Sequence, residues 1–233
     1  MKIFKKCYFI LLGLLLLSSM FFAFHLMENI KEANSKANEV IKVDQLVSNE
    51  ENKVDYSFIK NQKMFLEIES LDMLQRVMQS DNNNYYLSHD NDGNYNRYGS
   101  ITLDYRNNIN KDKKLIIYGH NSTRVNPEFK KLEKYKDETF FKNHKDLKLI
   151  YENGSVENYS VFSLIIMPNK NSWHIKLDFK NDNEYMEHLN YFKENSLYFD
   201  ENIKLNKNSK IVVLQTCNFD PSGTWLIVSA IKK

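Results

Sequence analysis

Two residues in this chain carry side chains suited to covalent catalysis and stand in matching places. Cys217 follows the apolar run "IVVLQT", and His120 follows "LIIYG". The thiolate is the attacking form of cysteine, so a reactive cysteine needs a lowered pKa or a base beside it, and histidine is the usual base. Each residue lies just past a short run that reads as a buried strand, where a rigid sheet can hold a side chain at a cleft. Cys217 is the only cysteine after Cys7. It therefore has no disulfide partner in the body of the chain, and is either buried and inert, linked between chains, or reactive.

The order of the pair, histidine before cysteine, disfavours papain-like proteases, which run the other way. Chymotrypsin-like cysteine proteases remain formally open, although this chain offers few strands for paired barrels. His144, His174 and His188 have less context than His120. The stretch "SHDNDGN" places Asp90, Asp92 and Gly93 at spacings suggestive of a calcium loop. An EF-hand would want an acidic residue at Ser88 and a glutamate at Gly99, so both ends fail and the stretch reads as a turn. No His/Cys cluster has zinc spacing, and no cofactor is expected. A net charge of +2 gives no reason to expect a nucleic-acid partner.

The positioning elements follow from pattern. Residues 63–80, "KMFLEIESLDMLQRVMQS", carry Leu66, Leu71, Leu74, Val77 and Met78 at helical spacing and predict a helix. "GSITLD" (99–104) alternates like a strand, and "KLIIY" (114–118) is a short buried strand. "LKLIYENGSVENYSVFSLIIM" is a hairpin around Asn153-Gly154. Tyr185, Leu189 and Phe192 share one face of a helix, and "KIVVLQT" and "TWLIVSAI" are the last strands. Many short strands with few helices predict a mainly β fold, a closed or nearly closed barrel with helical additions.

The N-terminus predicts a membrane anchor. Lys2, Lys5 and Lys6 precede an unbroken apolar run from Cys7, which with His25-Leu26-Met27 reaches the length that spans a bilayer, about 20 residues. The basic cluster before the span puts the N-terminus in the cytoplasm and the rest outside. A cleaved signal peptide is the rival reading, but Phe21, Phe22 and Phe24 crowd the place of its small-residue cleavage site. The expected boundaries are 1–6 cytoplasmic, 7–27 transmembrane, 28–62 a solvated helical stalk and 63–233 the catalytic domain.

From about residue 63 to 232 the chain resembles a class B sortase. "NYYLSHDNDGNYNRYGSITLDYRNN" resembles the segment leading into an early barrel strand, "KLIIYGHN" the catalytic-histidine strand and "VVLQTC" the catalytic-cysteine strand. The resemblance implies a closed barrel of about eight strands with N-terminal helices and a helix before the cysteine strand. It implies an extracellular cysteine transpeptidase, a thiol peptidase of Gram-positive cells. Such an enzyme cleaves an Asn-Pro-type sorting signal of secreted proteins and joins the product to a peptidoglycan amine. Carried onto this chain, Cys217 is the nucleophile and His120 the general acid/base, while Leu87, Gln215 and Thr216 border the substrate groove. The family's third catalytic residue is an arginine at the start of the last strand, and here Trp225 occupies that place. The only arginines are Arg76, Arg97, Arg106 and Arg124. Lys232 lies roughly 23 Å beyond Trp225 at about 3.3 Å per residue, so Arg124, in the loop after His120, is the best-placed cation by sequence. The alternative is a sorting-signal binding protein of the same fold with little turnover.

Overall fold

The computed structural model describes residues 56–233, and upstream of them only Met27 and Lys31. The expected span 7–27 and most of the stalk 28–62 lie outside these residues. Among the described residues no helix is long and apolar enough to cross a membrane. The unit described below is Ser57–Lys233.

Nine strands form one sheet: β1 (Gln62–Ile68), β2 (Met73–Met78), β3 (Thr102–Leu103), β4 (Lys114–Tyr118), β5 (Asp146–Ile150), β6 (Val156–Pro168), β7 (Tyr198–Phe199), β8 (Ile211–Phe219) and β9 (Ser222–Lys232). They are ordered β5-β1-β2-β3-β4-β8-β9-β6-β7, and β5 also pairs with β6. That second pairing closes eight strands into a barrel and leaves β7 outside, on the flank of β6. Neighbours are antiparallel except for a single β2–β3 pair, Met78 with Thr102, and the parallel β4–β8 pair.

The expected helix over 63–80 is instead the β1–β2 hairpin. Met64, Leu66 and Ile68 alternate into the core and have no exposed surface, and β2 pairs with β1 through Leu66↔Gln75 and Ile68↔Met73. The same apolar residues also satisfy a three-four spacing, which produced the helical reading. The reversal is made by a short 3-10 turn, Glu69–Leu71, followed by Asp72 at φ 48°. The expected stalk helix does not extend to residue 62 either. Residues 56–59 carry no helix, and a turn at Lys60-Asn61 leads into β1. The Asn153-Gly154 hairpin is present between β5 and β6, with Gly154 at φ 79°. Two helical stretches had no distinct sequence signal: 3-10 turns over Glu128–Lys136 and a helix over Glu138–Asn143.

Two apolar clusters set the faces. The barrel interior holds Leu66, Leu115, Ile117, Val212, Leu214, Leu226 and Val228 among others. The outer face of β6, β8 and β9 is covered by the helix Asp182–Asn195, whose Tyr185, Leu189 and Phe192 pack on Ile165, Val213 and Ile227. The Asn181 side chain starts this helix by accepting the Glu184 N–H, satisfying a donor that no helical carbonyl can reach.

One buried carboxylate staples the strands under the site. Asp104 has no exposed surface and accepts from Arg106 Nε (2.9 Å), Arg106 Nη2 (2.8 Å), Tyr118 Oη (2.7 Å) and Asn83 Nδ2 (3.2 Å). Burial alone would raise its pKa, but the hydrogen bonds from Arg106 and Tyr118 and the Arg106 charge outweigh burial and hold it below the usual carboxylate range. The folded carboxyl thus titrates lower than the unfolded one. Its contribution to stability is complete above the unfolded pKa, about pH 4, and is lost as pH falls further through the folded value. Asp104→Ala should destabilise the fold by about 1–3 kcal/mol, chiefly by leaving the buried Tyr118 hydroxyl without its acceptor. Asp104→Asn should flatten the acid limb of a stability-against-pH curve, read by urea melts between pH 3 and 7.

Candidate active site

His120 and Cys217 both follow from the parallel β4–β8 pair. Its register runs from Lys114↔Ile211 to Tyr118↔Gln215. The ladder continues past the end of β4: Gly119 N–H donates to Gln215 O at 3.2 Å, and Thr216 Oγ1–H donates to Gly119 O at 2.7 Å. Continuing that register sets His120 level with Cys217. Cys217 is not past the end of its strand, as its sequence context implied, but inside β8, opposite Trp225 of β9. Trp225 in turn opposes Met167 of β6. Side chains alternate between faces, and Val213 and Ile227 point outward from the barrel. Cys217, Trp225 and Met167 thus form a row across three strands on that outer face, and His120 lies two residues past the end of β4.

Gly119 permits the approach of β4 to its neighbours. A Cβ there would lie 2.6 Å from the ring of buried Phe129, so any other residue would displace the strand end that carries His120.

His120 is half-buried, and its Nε2 lies 2.8 Å from the carbonyl of Leu87. A carbonyl only accepts, so Nε2 carries a proton, and in the neutral ring Nδ1 holds the free lone pair. Nδ1 has no partner among the described residues. A cleft of about 340 Å³ opens beside this ring, lined by Asp90, Asn91, Tyr98, Asn126 and Glu128 among others.

Cys217 is half-buried and is a free thiol. Its sulfur makes no hydrogen bond to any described residue. Burial pushes its pKa up, with no cation to oppose the shift. Its surroundings thus favour the thiol over the thiolate.

The other expected residues are placed as follows. Trp225 donates its one N–H to Asn169 O at 3.0 Å, so its only polar atom is occupied. Leu87 is half-buried against the histidine through its carbonyl. Thr216 is buried with its hydroxyl on Gly119 O, and Gln215 is buried with Oε1 accepting from His174 Nε2 at 2.5 Å. These two side chains brace the strands and do not open onto a groove. Arg124 is exposed, and its side chain has no partner among the described residues. Arg76 donates to Ser57 O, Arg106 is held by Asp104, and Lys232 Nζ lies 2.5 Å from Glu157. Asp90 Oδ1 accepts from Asp92 N–H and Asn94 N–H, which makes "SHDNDGN" a turn closed on its own backbone. Among the described residues no group of acidic, histidine or cysteine side chains could hold a metal ion.

A buried basic web beneath the site had no sequence signal. Lys114 Nζ donates to His174 O (2.5 Å), Lys176 O (2.9 Å) and His188 Nε2 (2.7 Å). Burial, then the Arg106 charge, pulls the lysine well below its usual range, and burial brings His174 down to about 4. The web pins the segment 174–176 to β4. Asn121 was also missed, although it adjoins His120; its side chain bridges Glu133 and the Cys217 carbonyl.

A sortase-domain family model matches residues 66–232. The chain is 34% identical over 144 residues to sortase B of Listeria monocytogenes, a match covering 61% of this chain and 56% of that protein. It is 30% identical over 158 residues to sortase B of Staphylococcus aureus, covering 67% and 63%. The matched part thus spans less than two thirds of these relatives. The crystal structure of Clostridium perfringens sortase B superposes with a TM-score of 0.71 at 29% identity, covering 74% of this chain and 94% of that one.

The raised thiol pKa has a direct readout. Iodoacetamide should label Cys217 with a pH profile whose midpoint lies above that of a free cysteine, about 8.5. A midpoint below that value would mean that a cation not placed by this geometry reaches the sulfur.

Proposed function

The chain belongs to the sortase family, and from that premise we propose that it is a class B cysteine transpeptidase. It cleaves an Asn-Pro-type sorting signal in secreted proteins and transfers the new C-terminus to a peptidoglycan amine of the Gram-positive cell wall. The observation that supports this reading is the β4–β8 register, which leads two residues past Tyr118 and Gln215 to His120 and Cys217, with Nδ1 of the imidazole unpartnered among the described residues.

The chemistry runs through those two side chains. His120 Nδ1 takes the thiol proton as the sulfur attacks the carbonyl of a threonine in the signal. The tetrahedral adduct collapses as the C–N bond breaks, and the imidazolium gives its proton to the leaving amine. A thioacyl enzyme remains. The incoming amine attacks it and loses a proton to His120, which returns that proton to the departing sulfur as the thiol is restored. No external oxidant, metal or cofactor enters this sequence.

The oxyanion is where this chain departs from its family. Trp225 brings no charge, and its indole N–H is held by Asn169. In our reading Arg124, exposed and unpaired four residues after His120, supplies the cation, and Leu87 borders the groove. Gln215 and Thr216 contribute to the groove through their backbone. The N-terminal segment 7–27 anchors the enzyme in the cell membrane, 1–6 stay in the cytoplasm, and the stalk carries the catalytic domain outside.

A second reading is favoured by the same tryptophan. With an indole opposite the sulfur, the protein holds sorting signals and turns them over slowly. Losing one oxyanion donor lowers rates by about 10²–10³.

Incubation with an Asn-Pro-type peptide should yield a mass adduct on Cys217 equal to the acyl fragment, absent in Cys217→Ala and reduced in His120→Ala. An adduct elsewhere, or one that persists without Cys217, would overturn the transpeptidase. Trp225→Arg should raise turnover by about 10²-fold or more if the lost donor limits the rate. Equal rates in the two proteins would retire the attenuated reading.

A further inference from the structure

Asn121 ties the loop of the base to the backbone of the nucleophile. Its Nδ2 lies 2.9 Å from Glu133 Oε1 and 2.9 Å from the Cys217 carbonyl, and its Oδ1 accepts the Ser122 N–H at 2.7 Å. Both neighbours of the nitrogen are acceptors only, so the amide has one orientation, and no hydrogen or oxygen of its head group lacks a partner. The side chain is buried, so water does not compete for these bonds.

His120 is bracketed as a result. On one side Gly119 is held to Thr216, and on the other Asn121 is held to Cys217, so both chain neighbours of the base are fixed to the nucleophile's strand. The third hold, from Nε2 to Leu87 O, sets the ring's rotation but does not touch β8. Glu133 comes from the 3-10 stretch Glu128–Lys136, where Lys136 stands 3.8 Å from its carboxylate.

We propose that Asn121, seated by Glu133, is a positioning residue that sets the separation of the His120 imidazole and the Cys217 sulfur through the acyl-transfer cycle. It touches neither substrate nor reacting atoms and acts through the backbone of both partners. The inference rests on the transpeptidase reading of His120 and Cys217. A displacement of about 1 Å between reacting groups can lower rates by about 10²-fold, and Asn121 is the side chain that opposes such a displacement here.

The test uses the full chain and two readouts, kcat and KM on an Asn-Pro-type peptide and the rate of Cys217 alkylation by iodoacetamide at pH 7. Asn121→Ala should lower kcat by about 10²-fold, with KM changed by less than about twofold. Asn121→Asp keeps the shape but turns a carboxylate onto Glu133 and the Cys217 carbonyl, so it should fall as far. Glu133→Gln keeps the acceptor and should stay within about twofold of the parent protein. His120→Ala should slow alkylation, Asn121→Ala should slow it similarly, and the double variant should be no slower than His120→Ala alone.

Wild-type kcat in Asn121→Asp would overturn the proposal, because packing alone would then account for the residue. So would a double variant slowed by the product of the two single effects. If His120→Ala alkylates at the parent rate, the pairing of thiol and imidazole fails, and the role of Asn121 falls with it. Normal alkylation in Asn121→Ala alongside a slowed His120→Ala removes Asn121 only.

Discussion

The parallel pairing of β4 with β8 is the constraint on which the site depends. Parallel strands cannot be joined by a tight turn, so the chain must make a long excursion between them. Here that excursion builds the β5–β6 hairpin, closes the barrel on β1, and lays the helix Asp182–Asn195 over the outer face. Register then does the rest. Once Tyr118 lies beside Gln215, two further residues along each segment lead to His120 and to Cys217. The placement of these two residues is thus set by backbone hydrogen bonding, completed by a few side-chain ties from Thr216 and Asn121.

The row that results is chemically lopsided. Cys217 is followed across the sheet by Trp225 and Met167, so that side of the sulfur is aromatic and apolar. Burial raises the thiol pKa, and no cation beside it reverses the shift. The Leu87 carbonyl occupies Nε2 of His120 and leaves Nδ1 as the free nitrogen of that ring. The indole's tie to Asn169 joins the last strand to the chain leaving β6, and the web around Lys114 joins the next few residues to β4. These ties fix the wall beside the site from beneath.

Much of this was legible in the sequence. Short apolar runs ending in "GHN" and "TC", a strong Asn-Gly turn and one helix with a clear apolar face pointed to a barrel, and the β4–β8 and β8–β9 pairings and the covering helix are those elements. The β1–β2 hairpin was not legible because only Met64, Leu66 and Ile68 keep a two-residue period, while Met64, Ile68, Leu71, Leu74 and Met78 run on at three-to-four-residue spacing across the turn. The reversal at Asp72 also uses a residue at φ 48° without a glycine to announce it. Gln215 and Thr216 border the nucleophile in sequence, yet strand alternation turns one toward His174 and the other toward Gly119. The Lys114 web was invisible because its members lie about 60 and 74 residues apart and only tertiary structure brings them together. Asn121 stood in plain view beside His120, but nothing in its neighbours indicated that its amide would reach across to another strand.

The separation between the two paired strands bears on how this protein comes into being. Gly119 and the Thr216 hydroxyl that binds it are 97 positions apart in the sequence. Contacts so distant along the chain form late and slowly, because the loop between them must first be ordered. Until the penultimate strand docks, a nascent or half-folded polypeptide holds the imidazole of His120 and the thiol of Cys217 on separate pieces of chain. Any chemistry that needs both groups must wait for the last long-range pairing of the barrel.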